Sequence, residues 1–265
     1  MGPLASRVLV AVIGLPIVLL LVHGGGWWLF ALAAVAAVLA LHEFALMIRS
    51  LRPVILAAYT GALLSLLGAR LGGIDWTMAG IFVAIGLGFL LHWVAETRQS
   101  ATIAIASTVL GTAWIGLSLA HLLLIRGISD NGELAAFTVL LAVWAGDIGA
   151  FFAGRLIGRH KLAPALSPGK TWEGFLFGTG ATVFVAFVAL YRQDYLSIWE
   201  SIVLGLVIAI AAPLGDLFES ALKRDMQVKD SGRLLAAHGG VLDRIDSLLF
   251  AAVASYYLLR AFHQA

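Results

Sequence analysis

Residues 27–46 read Trp27-Trp28-Leu29-Phe30-Ala31-Leu32-Ala33-Ala34-Val35-Ala36-Ala37-Val38-Leu39-Ala40-Leu41-His42-Glu43-Phe44-Ala45-Leu46, with one formal charge, Glu43, near the end. About 20 apolar residues let a helix cross the hydrocarbon layer, and a helix satisfies every backbone amide of such a run without water. The same reading, carried outward, finds further runs at 7–22, 53–69, 74–95, 101–125, 134–153, 175–191, 198–215 and 247–262. The first is read as a retained span: no small-residue cleavage site follows it, and another apolar stretch comes at once. The expected architecture is all-α, a polytopic integral membrane protein of about nine transmembrane helices with a cytoplasm-facing polar site.

Composition agrees. Of 265 residues, 61% are hydrophobic and 12% charged, and the mean hydropathy is +0.98. Soluble domains carry about 25% charge, so an ordinary cytosolic domain, a disordered tail and a coiled coil are excluded. There is no cysteine, which closes thiol catalysis, disulfides and thiolate-held metals. The 17 basic residues are too dispersed for nucleic acid.

Their placement sets the expected orientation. With the N-terminus in the cytoplasm, 13 of the 17 fall inside: Arg7, Arg49, Arg52, Arg98, Arg155, Arg159, Lys161, Lys170, Lys223, Arg224, Lys229, Arg233 and Arg244. Arg70, Arg126, Arg192 and Arg260 fall outside. The positive-inside bias favours a multi-pass protein of the inner (cytoplasmic) membrane, with its N-terminus and polar segments cytoplasmic. The reading divides the chain into N-terminal transmembrane helices, 1–133, and a catalytic transmembrane region, 134–265, with motif segments 144–174 and 216–246.

Those two segments hold 17 of the 32 charged residues, more than twice an even share. Eight of the 15 acids lie in them, and acids contribute little to topology, so chemistry is the better explanation. In the later segment, Asp243 and Asp246 are three apart and project from one face of a helix; Asp216, after Pro213 and Gly215, ends the eighth span and can complete the set. Oxygen-only ligands suit Mg²⁺, which usually arrives with substrate phosphates. Lys223, Arg224, Lys229, Arg233 and Arg244 add the cations a polyphosphate needs. Gly239-Gly240 after His238 implies a close backbone approach.

In the earlier segment Asp147 lies inside an apolar run, a functional candidate by its cost alone. Ser167-Pro168-Gly169-Lys170-Thr171 offers a turn, two hydroxyls and an ammonium just before a helix. Its Gly-Lys-Thr is similar on the surface to a Walker A loop, but neither Pro164 nor Ala165 supplies the leading glycine, which excludes that motif. The structural alternative is that Ser167 caps the seventh span. Glu43 and His42 read as an interfacial pair beside Arg49, with contact to the site as the second reading. His92 and His121 read as packing residues, and Trp27, Trp28, Trp76, Trp93, Trp114 and Trp199 as an aromatic belt.

Ser220, Lys223, Arg224, Lys229, Asp230, Gly232, His238, Gly239, Gly240, Asp243, Arg244 and Asp246 together resemble, in register, the C-terminal signature of the phosphatidate cytidylyltransferases, or CDP-diacylglycerol synthases. The stretch around Asp147, Gly154-Arg155, Lys161-Leu162 and Ser167 to Gly174 is similar to that family's earlier segment. Ala236 departs from its usual proline or glycine. The resemblance is specific over residues 144–246.

What it implies is transfer of a cytidylyl group from CTP to phosphatidic acid, giving CDP-diacylglycerol and pyrophosphate. Asp216, Asp243 and Asp246 would hold Mg²⁺, with room for a second cation, and Lys223 and Lys229 would join them in catalysis. Asp147, Arg155, Lys161, Ser167, Lys170, Thr171, Ser220, Arg224, Asp230, His238, Gly239, Gly240 and Arg244 would bind substrate. The lipid bilayer is the expected setting, and a homodimer is expected from the family alone. Two alternatives stay open: another membrane CDP-lipid enzyme, whose CDP-alcohol phosphotransferase pattern is missing here, and a polytopic transporter of anionic substrates, for which no duplicated motif is seen.

Overall fold

The structure is a computed structural model, describing residues 3–96, 100–129, 131–232 and 239–262, with side chains from residue 12 onward. Arg98, Arg233, Ala236 and His238 lie outside the described residues, as does the side chain of Arg7. The chain forms two compact units, Met1–Gly127 with Met226–Ile245, and Ile128–Asp225 with Asp246–Ala265.

The first unit contains α1 (Pro3–Gly24), α2 (Gly26–Met47), a 3₁₀ turn (Arg49–Leu51), α3 (Ile55–Leu71), α4 (Ile74–Thr77), α5 (Ala79–Val94), α6 (Ala101–Gly111), a π-helical turn (Thr112–Leu117) and α7 (Ser118–Arg126). Small residues let α3 and α5 approach backbone to backbone: a Cβ on Gly61 would lie 2.7 Å from both the Gly80 carbonyl and the Ala84 methyl. Without a hydrophobic drive between helices in lipid, such close contact supplies the packing. The helices α1 and α2 are broken at Gly25, where φ is +57°. Arg126 donates from Nε to the Val22 carbonyl at 3.0 Å and from Nη2 to the His23 carbonyl at 2.9 Å, satisfying acceptors that a helix C-terminus leaves open.

The second unit contains α8 (Gly132–Leu156), a hairpin of β1 (Lys161–Ala163) and β2 (Ser167–Thr171), α9 (Trp172–Leu190), α10 (Ile198–Asp225) and residues 246–262 of α11 (Leu242–Phe262). The helices α8 and α9 meet along small residues spaced by four, Gly146, Ala150 and Gly154 against Gly174, Gly178 and Thr182. A Cβ on Gly178 would lie 2.8 Å from the Gly146 carbonyl, and one on Gly174 2.7 Å from the Ala150 carbonyl. The Thr182 hydroxyl donates to the Ala142 carbonyl at 3.2 Å.

Each apolar run read from the sequence falls on helix. Among the described residues, seven helical stretches are long and apolar enough to cross a membrane: Gly26–Met47, Ile74–Val94, Ala101–Arg126, Gly132–Leu156, Trp172–Leu190, Ile198–Asp225 and Leu242–Phe262. Val12–Gly24 and Ile55–Leu71 are shorter apolar helices. Large apolar side chains cover the outside, among them Trp28, Phe82, Phe184, Trp199 and Ile210. Such a surface is a liability in water and ordinary in lipid, so the chain is an integral membrane protein.

Three local readings change. Ser167–Thr171 is a strand, β2, paired antiparallel with β1 at Lys161↔Thr171 and Ala163↔Ser167; Pro168 is tolerated because both strands are edges. Asp216 lies inside α10, which runs through Pro213 to Asp225, since a membrane helix accommodates proline when neighbours satisfy the backbone group it strands. Trp114 is buried, its ring edge-on to Phe44 at 5.7 Å, and does not belong to the exposed aromatic belt.

Candidate active site

In the second unit the two motif segments meet. The hairpin is fixed at its base, where Glu173 accepts the Arg159 and His160 amides at 3.1 and 3.3 Å and pairs with His160 Nδ1 at 2.6 Å. Thr171 takes the N-cap of α9, its hydroxyl oxygen accepting the Gly174 amide at 3.1 Å; it, and not Ser167, closes that helix start. Arg224, near the end of α10, donates from Nε to the Leu166 carbonyl in the hairpin loop at 3.2 Å.

Held this way, β2 aims Lys170 at α10. Its Nζ lies 2.8 Å from Asp216 Oδ2, with both side chains partly open to solvent. The Ser220 hydroxyl stands 3.4 Å from Asp216 Oδ1. One turn on, Glu219 is fully buried and pairs with Lys223 Nζ at 3.1 Å. On α11, Asp246 is buried, its Oδ1 accepting the Ser247 amide at 2.8 Å; it lies against Glu219 and within electrostatic reach of Asp216. Asp147 on α8 has Asp216, Lys170 and Ser247 as its polar neighbours and borders a small cleft lined by Gly146, Thr179, Thr182 and Pro213.

Four carboxyl groups, Asp147, Asp216, Glu219 and Asp246, thus stand with two ammonium groups, Lys170 and Lys223. An excess of oxygen donors with no sulfur or paired imidazole is a donor set that fits a hard divalent cation. Among the described residues, no three acids or histidines are arranged to ligate one ion as they stand. Arg155 and Lys161 are exposed at the end of α8 and in β1.

In the first unit, Asp243 accepts the Gly240 amide at 2.8 Å and the Ser231 amide at 3.3 Å. Gly239 has φ +83°, a conformation that glycine adopts without strain. The close approach read from Gly239-Gly240 is to protein: a Cβ on Gly239 would lie 2.9 Å from Asp243 Oδ2, and one on Gly240 2.5 Å from Glu43 Oε2. Lys229, Asp230 and Arg244 are exposed. His238 is outside the described residues. Glu43 is a correction: it is no interfacial cap but 1% exposed, with Oε2 accepting the Leu242 amide at 2.9 Å. Its position as the one formal charge in the apolar run 27–46 is the signal the sequence offers.

The sequence is matched over residues 5–262 by the cytidylyltransferase family. A phosphatidate cytidylyltransferase of Staphylococcus haemolyticus is 34% identical, over 92% of this chain and 94% of that one. One of Synechocystis sp. is 33% identical over 96% of each chain, and one of Staphylococcus aureus is 32% identical over 92% of this chain and 94% of its own.

Proposed function

The chain belongs to the cytidylyltransferase family, and on that premise we propose that it is a phosphatidate cytidylyltransferase, transferring the cytidylyl group of CTP to phosphatidic acid. The observation that carries this reading is similarity across more than nine-tenths of the chain to relatives bearing that name, with the signature from Ser220 to Asp246 in register.

A phosphate oxygen of the lipid attacks the α-phosphorus of CTP. A phosphorus–oxygen bond forms, the α–β anhydride bond breaks, and pyrophosphate leaves. Both reactants are anions, so the protein must suppress their repulsion and stabilise charge on the leaving group. No protein nucleophile is needed. The acids and bases brought together by β2 and α10 supply that electrostatic setting. Lys223, Arg224, Lys229 and Arg244 are assigned to the CTP phosphates, and Arg155, Lys161, Ser167, Lys170 and Thr171 to the lipid phosphate or the triphosphate tail. Asp216, Asp243 and Asp246 are assigned to Mg²⁺ from their places in the signature; these acids would hold the ion, which would supply charge neutralisation for the phosphates. The basic residues flanking the spans support a cytoplasmic site, where CTP is dissolved and the lipid headgroup sits at the inner leaflet.

The test is purified protein in mixed micelles with phosphatidic acid, labelled CTP and Mg²⁺. CDP-diacylglycerol identified by mass, with one pyrophosphate per lipid, is the expected result. Folded protein that forms no CDP-diacylglycerol, or that accumulates CTP unchanged inside vesicles, would refute the reading.

A further inference from the structure

We propose that Glu43, far from the signature in sequence, is a positioning residue for it, fixing the backbone of Ser231-Gly232 and Gly240–Leu242 and thereby the direction of Asp243. This rests on the reading of Asp243 as part of the nucleotidyl-transfer site.

Burying a carboxylate is costly unless hydrogen bonds and geometry compensate. Glu43 is 1% exposed near the end of α2, and among the described residues no lysine or arginine pairs with it. Ion pairing does not explain its place. Its Oε2 accepts the amide of Leu242, the first residue of α11, at 2.9 Å. Amides in a first helical turn have no partner within the helix, and a negative group there is favourable.

The backbone is shaped around this carboxylate. A Cβ on Gly232 would lie 2.5 Å from Oε1, and one on Gly240 2.5 Å from Oε2 while also striking the Ser231 hydroxyl. A side chain at either position would displace the Glu43 carboxylate from this place. The same stretches are held by Asp243, which takes the Ser231 and Gly240 amides. Two carboxylates therefore grip one piece of backbone, and Asp243 follows Leu242 directly. Moving the Leu242 amide moves Asp243. Groups that orient a ligating or catalytic side chain typically change affinity or activity about 10–100-fold when removed.

Hydrogen–deuterium exchange and steady-state turnover are measured on the full chain in micelles for Glu43→Ala, Glu43→Asp and Glu43→Gln. In the Ala and Asp variants the amides of 239–242 should exchange faster while α3 and α5 keep their protection. The same variants should show kcat lowered about 10–100-fold with KM for phosphatidic acid unchanged. Gln keeps an acceptor of the same size and should restore both. Unchanged exchange at 239–242, unchanged kcat in the Ala and Asp variants, or loss of protection throughout the chain would overturn the proposal. Exchange reads the tie without any turnover, so failure of the wild type to make CDP-diacylglycerol would count against the activity and leave this tie separately measurable.

Discussion

Nζ of Lys170 lies 2.8 Å from Oδ2 of Asp216, and this ion pair joins the hairpin to the middle of α10. It brings a cation from one motif segment onto an acid from the other. Lys170→Met should lower CDP-diacylglycerol formation about 10²–10³-fold, the usual effect of removing one preorganised charge from a transition state. The melting temperature should change little, because a partly exposed pair contributes little to stability. Turnover and thermal unfolding measured on the same preparation check both statements.

Chelation should silence the enzyme reversibly. EDTA is expected to abolish turnover and added Mg²⁺ to restore it, with Asp216→Asn and Asp246→Asn requiring more Mg²⁺ for half-maximal rate. A metal titration of each variant decides this, and full activity in EDTA would remove the assignment of these acids.

The contact between α8 and α9 should depend on having no side chain at Gly178. Gly178→Leu should destabilise the protein by about 1–3 kcal/mol or more through overpacking against Gly146 and Ala150. A methyl group on Gly180 would meet nothing within 4 Å, so Gly180→Ala should be tolerated. Thermal unfolding in detergent compares the two.

The chain has no cysteine, so single-cysteine variants report sidedness without background. A membrane-impermeant maleimide should label Lys161→Cys from the cytoplasmic face and Arg192→Cys from the opposite face, as the distribution of basic residues requires. Labelling of both from the same side would overturn the orientation.

The helices were legible because bilayer crossing imposes a length and a composition, although of the nine expected spans seven are long and apolar enough among the described residues; the motif segments were legible because 17 charges gathered where few are expected. Hydropathy did not separate Trp114, packed on Phe44, from the exposed Trp28, since lipid and protein interior are equally apolar. Pro213 and Gly215 suggested a helix end before Asp216, but neighbours in a bundle stabilise a proline-containing helix. The hairpin was hidden because Ser167-Pro168-Gly169 has turn chemistry and β2 is only five residues long. The tie from Glu43 to Leu242 joins positions 199 apart in the chain, a separation over which no periodicity or local spacing carries information.

That tie bears on how the protein can be shortened. A fragment beginning at α8 would retain the whole C-terminal signature yet lack the acid that receives the Leu242 amide, and it would lose the partner around which Gly232 and Gly240 are folded. Such a truncation should therefore yield an incorrectly shaped polar segment, even where its own helices insert, so on the role proposed for Glu43 helix α2 would be a mould for that segment as well as a membrane anchor.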